Sequence, residues 1–512
     1  MRLPYLDNVS SQNQRRIVNF LGLNYGCQTQ DGEMSETKNV TTDNFPCITQ
    51  RKKRVKEGGC ISPTSLFAKA GLFVIDGTRV LHNGEYVGDV TEGKKQMETV
   101  GNILVIFPDK KYYNAETKVF GDMEIEYKAT GLVFGTDSEG LSTITTTGDD
   151  FTFSEGDGIT ITGCEVAPEN NTSIIVRGVS GKVLTFYSNS FTNATETGEV
   201  TIKRKVPDLD FICENNYRLW GCKGDTIYAS KYADPLNFNV FDSLVSDSYY
   251  IQVGSDGKFT GCISFSSHIC FFKEDVLHKL YGSKPSNYQL VTSNVFGVQE
   301  GCERSLCIIN ETLYYLGRNG VYAYTGGVPD LISSAFGTNV LSEGCAESDG
   351  EKYYISMKNN SAWGLFTYDV RRNIWLREDD THALDMANVE GKLYYIASDG
   401  GLYSVNGDES LSDEEIEWSV TFCTFNEVIN ERKGYSKLGI RLDLGERSYL
   451  DVEVSIDDGL WKSVYTTHNE RAKTITVPIH PNRCDNFRVR LSGKGECKIK
   501  SLVREFHVGS EV

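Results

Sequence analysis

What the sequence lacks narrows the possibilities first. No stretch approaches the roughly 18 consecutive apolar residues of a membrane helix, while 39% hydrophobic and 24% charged residues are ordinary globular values. A membrane protein is excluded on this reading, and no membrane anchor is expected. The first residues, from Met1 to Asp7, carry neither an apolar run of roughly 7 to 15 residues nor a small-residue cleavage site. Synthesis in a cytoplasm without secretion is the expectation. The sequons at Asn8, Asn39, Asn193 and Asn310 are accordingly read as chance in an Asn/Thr-rich chain. A basic surplus is also missing. With 52 Lys and Arg against 70 Asp and Glu, the net charge is −18, which argues against a protein that neutralises phosphates. The 14 cysteines contain no C-x-x-C pair, so buried, reduced thiols are expected rather than a zinc or redox site. Helical periodicity is scarce too. One short helix is expected over residues 10–22, with Ser11 as its cap.

What is abundant is glycine (49), tyrosine (27) and phenylalanine (25), the composition of many short strands separated by tight turns. The fold class is all-β. The stretch Leu313-Tyr-Tyr-Leu-Gly-Arg-Asn-Gly-Val-Tyr-Ala-Tyr is echoed by Leu393-Tyr-Tyr-Ile-Ala-Ser-Asp-Gly-Gly-Leu-Tyr, and between them lies Tyr353-Tyr-Ile-Ser-Met. Tyr-Tyr pairs therefore begin at Tyr314, Tyr353 and Tyr394, at steps of 39 and 41. Weaker copies of the hairpin start near Leu219 and Ile269, and Gly-Cys pairs at 261, 301 and 344 precede three of the hairpins. A hairpin recurring every 40 to 50 residues is the signature of a β-propeller. Alternation in Leu313-Tyr-Tyr-Leu316 makes both faces apolar, as a blade between two blades requires. Six blades are expected, with seven as the alternative.

Residues 1–63 are polar, with few apolar anchors, and read as an extended N-terminal docking arm ordered by a neighbouring chain. Residues 64–123 supply the first propeller blades, including the hairpin from Leu72 and that from Ile103. Residues 124–205 break the period and alternate like a small inserted β-barrel-like domain, as in Phe151-Thr-Phe-Ser and Ile159-Thr-Ile-Thr. Pro207 marks the return, residues 206–408 hold the remaining blades, and residues 409–512 alternate as a C-terminal β-sandwich after an acidic run ending at Glu417.

Chemistry is hard to find. The seven histidines, at 82, 268, 278, 382, 468, 480 and 507, show no metal-ligand spacing and read as turn or surface residues. Gly178-Val-Ser-Gly-Lys182 lacks the spacing of a phosphate loop, since Val183 follows the lysine. Ser455-Ile-Asp-Asp-Gly-Leu-Trp461 looks like the Asp-box of sialidase-type propellers but is one residue short and occurs once, so it reads as an Asx-type hairpin turn. No catalytic residue, cofactor or metal site is expected, and the chain reads as not an enzyme. The basic run Arg51-Lys-Lys-Arg-Val-Lys56 reads as a docking or solvated segment.

Several phrases carry a family likeness: Phe45-Pro-Cys-Ile-Thr-Gln-Arg-Lys-Lys-Arg54, Leu72-Phe-Val-Ile-Asp-Gly77, Ala229-Ser-Lys-Tyr-Ala-Asp-Pro-Leu-Asn-Phe-Asn-Val-Phe241 and Ile499-Lys-Ser-Leu-Val-Arg-Glu-Phe-His-Val-Gly509. With these the chain resembles tail hub or nozzle proteins of bacteriophages, including the tail accessory or stabilisation proteins of short-tailed phages. The resemblance implies a structural virion protein, made in the host cytoplasm and located in the tail. It implies a homo-hexameric ring below the portal and adaptor that seals the head and forms part of the DNA exit channel. Its partners would be the portal or adaptor and tail fibre or distal tail proteins, with DNA passing nearby unbound. Phe45, Pro46, Arg51 and Arg54 are the expected partner-docking residues. The alternative is a carbohydrate-binding or glycan-degrading β-propeller acting as a receptor binder, for which Trp363, Trp375 and Trp461 are the candidate sugar platforms.

Overall fold

The computed structural model describes residues 13–405, 415–427, 429–468, 473–480 and 483–508. Among them the chain is built of strands and turns, with helical geometry confined to 3-10 turns of three residues each. It divides into two units, residues 59–306 and residues 1–58 together with 307–512.

In the first of these, four antiparallel sheets run up and down in chain order, over residues 63–89, 96–122, 211–252 and 261–293. Their second strands are apolar on both faces and buried on both, as in His268–Lys273, where all six residues are buried. Ile103–Phe107 and Leu72–Asp76 follow suit, with only the first residue of each partly exposed. A strand buried on both faces must be covered on both. The hairpins close through two-residue turns. Asn216 and Tyr217, joining the paired Asn215 and Arg218, both take positive φ, 52° and 56°. That is the backbone twist that suits a two-residue hairpin. Between the second and third sheets, residues 125–204 form two further sheets around a core of their own that includes Phe134, Ile144, Ile161, Leu184 and Ile202. Arg204 ties this insertion down: its guanidinium bonds both carboxylate oxygens of Asp157 (2.8 and 3.1 Å) and the Met123 carbonyl, while Asn237 donates to Asp157.

The other unit carries three more up-and-down sheets, over residues 307–331, 341–379 and 383–404. The last has three strands from its own stretch and takes its fourth, Val55–Glu57, from the N-terminal segment, antiparallel to Leu402–Ser404. Four-stranded up-and-down sheets thus number seven among the described residues. Leu313, Tyr314, Tyr315 and Leu316 are all buried.

The C-terminal strands form two sheets whose inner faces share one core. In Phe487–Lys494 burial alternates residue by residue, placing Phe487, Val489 and Leu491 inside. Five strands of these two sheets come from the N-terminal segment. Asn13–Ile17 and Ile48–Gln50 pair with Cys497–Val508, and Val40–Thr41 pairs with Ile48–Gln50. Glu33–Lys38 pairs with Glu417–Phe422, and Gly22–Leu23 runs parallel to it. The sequence reading expected a helix over residues 10–22 and a neighbouring chain to order the N-terminal arm. Residues 13–17 are instead a strand, because a row of free backbone groups on Cys497–Val508 accepts them in register from Asn13 opposite Phe506 to Ile17 opposite Leu502. The chain's own C-terminal strands order the arm. Ser11, Asn8 and most of the acidic run before Glu417 lie outside the described residues.

A buried charge cluster locks this weave. Arg504, 1% exposed, bonds Glu427 through Nε (2.5 Å) and Nη2 (3.0 Å) and Asp31 through Nη2 (2.7 Å), with the Phe425 ring 4.0 Å from its guanidinium. Tyr435 donates to Glu427 as well. Removing one partner of a buried ion pair strands the other, which costs about 3–5 kcal/mol. Arg504→Leu should therefore lower the urea midpoint by an equivalent amount, and adding Glu427→Leu should restore part of the loss. Additive losses in that double-mutant cycle would show the pair to be uncoupled.

Candidate functional site

The expected docking residues separate into two kinds. Phe45 and Pro46 lie on the exposed turn between Val40–Thr41 and Ile48–Gln50, joined by a cis peptide, and the Arg372 guanidinium sits 5.0 Å from the Phe45 ring centre. Arg51 and Arg54 turn inward instead. Arg54 reaches Glu378 and Asp379 at 2.6 Å each, donates to Thr381, and its guanidinium lies 5.5 Å from the Tyr395 ring. Arg51 donates to Asn39 and pairs with Asp379 at 3.3 Å. Burial works against the Arg54 charge, but the two carboxylates outweigh it and hold its pKa above the usual value. At Asp379 burial is likewise overcome, chiefly by Arg54, and the carboxyl is held below its ordinary range. Around these pairs, Lys352 contacts Asp43, Lys392 pairs with Glu57 and Thr42 donates to Asp369. These two arginines stitch residues 39–57 to the sheets over 341–404, and an outside partner has little of their charge left to meet.

Among the described residues no group of three or more His, Cys, Asp or Glu side chains is placed to hold a metal ion. Among the described residues no helix is long and apolar enough to cross a membrane. No disulfide joins any of the 14 cysteines, and 11 of them are buried. The expectation that the histidines sit in turns or on the surface needs correction for His268 and His278, which are 4% and 1% exposed within strands. His278 Nε2 lies 2.7 Å from Ser255 Oγ and Nδ1 lies 2.9 Å from Thr292 Oγ1. A hydroxyl, not a carboxylate, occupies the position that would orient a catalytic base. Both ring nitrogens are satisfied, as a buried histidine requires.

The Asp-box-like stretch is a turn. Asp457 and Asp458 take positive φ, Ser455 Oγ donates to the Gly459 carbonyl, and Asp457 accepts from the amides of Asp485 and Asn486. Of the three tryptophans, Trp375 is 2% exposed and donates to the Ile332 carbonyl, a core role. Trp461 lies under the guanidiniums of Arg490 (4.1 Å) and Arg488 (5.4 Å).

Trp363 lines a cavity of about 370 Å³. The hairpin of Lys352–Asn359 and Ala362–Asp369 gives it Asn359, Ala362, Trp363 and Phe366, and Ile374–Asp379 gives Arg377. Ser35 and Glu36 come from Glu33–Lys38, Arg488 from Phe487–Lys494, and Tyr25 from the loop between Gly22–Leu23 and Glu33–Lys38. The hairpin turns on Asn360 and Ser361, both at positive φ. Trp363 is stacked on His382, with ring centres 3.5 Å apart and planes at 14°. Gly364 makes room beside it, because a Cβ there would stand 2.8 Å from the Phe366 ring and 3.1 Å from Arg377 Nε. Arg377 is paired with Asp380. Burial raises the Tyr25 pKa, Glu36 adds to the rise and Arg377 opposes it, so the phenol stays protonated. Of the lining residues only Trp363 carries a signal in the sequence, since the cavity joins segments more than 400 positions apart.

No family model matches the chain, and no curated protein matches it. Solved structures similar to it include an exo-β-1,3-galactanase from Phanerochaete chrysosporium with galactose, at 9% identity and a TM-score of 0.22, over 56% of this chain and 92% of that one. A putative exported protein from Bacteroides fragilis is 12% identical with a TM-score of 0.22, over 50% and 83%. Dihydro-heme d1 dehydrogenase is 10% identical with a TM-score of 0.26, over 76% and 73%. The expectation that the chain is not an enzyme is corrected by the presence of an enzyme among these, and it is not carried forward. At such TM-scores the likeness assigns this chain no activity.

Two measurements check the electrostatics. Arg54→Glu should sharply destabilise the isolated protein, by about 3–5 kcal/mol, whereas a surface docking arginine would leave its thermal midpoint unchanged. Burial first, and Lys273 second, hold His278 down at about 4. Below the ordinary value of about 6.5 the unfolded chain takes up a proton that the native state refuses, so stability falls as pH drops from about 6.5 towards 4. His278→Asn should flatten that part of the urea-stability profile by about 1–3 kcal/mol, and an unchanged slope would remove His278 as its cause.

Proposed function

We propose that the chain is a structural subunit of a bacteriophage tail, a hub or nozzle ring component below the portal and adaptor that closes the packaged head and forms part of the DNA exit channel. The observation that carries this reading is the repeated sheet. Four four-stranded up-and-down sheets in one unit and three in the other, the last of these completed by Val55–Glu57, are read as propeller blades. The strand Val55–Glu57 ties the N-terminal segment to the sheet over 383–404, so that sheet cannot lose its outer strand without unpairing the segment. A part that bears the pressure of a filled head needs that resistance.

Charge supports the same reading. The net charge of −18 suits a wall past which DNA slides, because like charge repels phosphate where a basic lining would retain it. The exposed turn at Phe45 and Pro46 is the docking element in this proposal, within a closed homo-oligomeric ring of six copies in the virion.

Quantitative mass spectrometry of purified virus particles tests the proposal. The chain should be present at about one copy for every two portal subunits, the ratio of a six-fold ring beneath a twelve-fold one. Its absence from particles would overturn the reading.

A further inference from the structure

The cavity at Trp363 has wall chemistry that the tail reading does not use. Its volume, about 370 Å³, lies in the range that takes a small ligand of one or two rings. Aromatic surface from Tyr25, Trp363 and Phe366 lies beside Ser35, Glu36, Asn359, Arg377 and Arg488. Apolar ring faces together with convergent hydrogen-bonding groups suit a ligand that is flat and apolar on one side and polar at its edges.

The charges say more. Arg377 is answered by Asp380. Arg488 is not answered in kind: its Nη2 donates to Ser35 Oγ at 3.1 Å, its guanidinium lies over Trp461, and no carboxylate among the described residues stands within ion-pair distance of it. Arg488 Nε is shielded from solvent and has no hydrogen-bond partner. Native structures satisfy nearly all such atoms, and a part-buried guanidinium without a counter-charge calls for an anion. Glu36 as a carboxylate accepts only. A ligand meeting both Arg488 and Glu36 must bring a negative charge to one and donors to the other, and Glu36 would repel a plain inorganic anion.

We propose that this cavity binds a carboxylated, polyhydroxylated ring, a sugar acid of the uronic type. Its carboxylate meets Arg488, ring hydroxyls donate to Glu36, and a ring face packs on the aromatic wall. The site is preformed. The His382 stack fixes Trp363 and the absence of a side chain at Gly364 leaves Arg377 its place, so little ordering cost attends binding. The inference stands apart from the tail reading and neither needs the other.

Saturation-transfer NMR on the full chain, with sodium glucuronate, glucose and inorganic phosphate at about 10 mM each, tests it. Glucuronate should receive saturation, glucose should bind at least about fivefold more weakly, and phosphate should not displace glucuronate. Arg488→Met, which keeps an apolar stem over Trp461, should weaken glucuronate binding about tenfold, while the exposed Arg371→Met should change nothing. Gly364→Ala, which crowds Arg377 and Phe366, gives a second variant with the same expected loss should Arg488→Met fail to fold. Thermal midpoints establish folding for each. No transfer to glucuronate, equal binding of glucose, displacement by phosphate, or full binding in either cavity variant would overturn the proposal.

Discussion

Everything in the unit formed by the two ends of the chain depends on residues 13–57 being paired with strands roughly 350 to 490 positions later. Those residues supply five strands to the two C-terminal sheets and the outer strand of the sheet over 383–404. Bringing such distant segments together costs loop-closure entropy, although that cost grows only with the logarithm of the separation. What offsets it is burial on a large scale. Ile17, Met34, Val40 and Ile48 enter the same core as Tyr435, Leu438, Phe487 and Leu502. Charge then fixes the register. Arg51 and Arg54 against Glu378 and Asp379, and Arg504 between Asp31 and Glu427, are arrangements that a one-residue slip would leave unpaired inside the protein, and an unpaired buried charge is far costlier than a lost surface contact.

The parts of the fold legible in the sequence are those governed by short-range pattern. The Leu-Tyr-Tyr-Leu alternation reported strands buried on both faces, and Leu313 to Leu316 are so buried. The alternation in Asn486-Phe-Arg-Val-Arg-Leu491 reported a sheet with one inner face. The N-terminal segment was misleading because its partners are remote. Asn13-Gln-Arg-Arg-Ile17 has no intrinsic strand character, and only the free edge of Cys497–Val508 makes it one. Arg51 and Arg54 misled for a related reason: a basic run reads as solvated unless acidic partners are known, and Glu378 and Asp379 lie over 300 residues away.

The cavity shows the same dependence from the side of chemistry. Trp363 carried a sequence signal, as a large amphipathic ring does, but a single aromatic is ambiguous between core and platform. Trp375, of the same residue type and twelve positions on, is core. What distinguishes them is placement. Trp375 donates its N–H to the carbonyl of Ile332, just past the outer strand Asp330–Leu331 of the preceding sheet, while Trp363 stands near the hairpin tip, where Ser35, Glu36 and Arg488 are brought up by the terminal strands. No local pattern encodes that meeting. The strand pairing that closes the chain ends also builds the cavity wall, so fold closure and the site are one construction.

Charge placement follows from the same weave. Arg54, Arg204, Arg218, Arg504, Lys95 and Lys352 are each buried or nearly so. Arg218 donates to the backbone carbonyls of Ser230, Val245 and Asp247, and the buried Asp247 carboxylate supports its charge. Inward cations matched by inward carboxylates leave the surface balance as it was, so the exterior keeps the acidic sign of the whole chain. An acidic exterior keeps copies apart at a distance and lets them meet only where apolar contact outweighs repulsion. In the proposed ring the exposed turn at Phe45 and Pro46 is the contact of that kind, with Arg51 and Arg54 turned inward and Arg372 packed on the Phe45 ring.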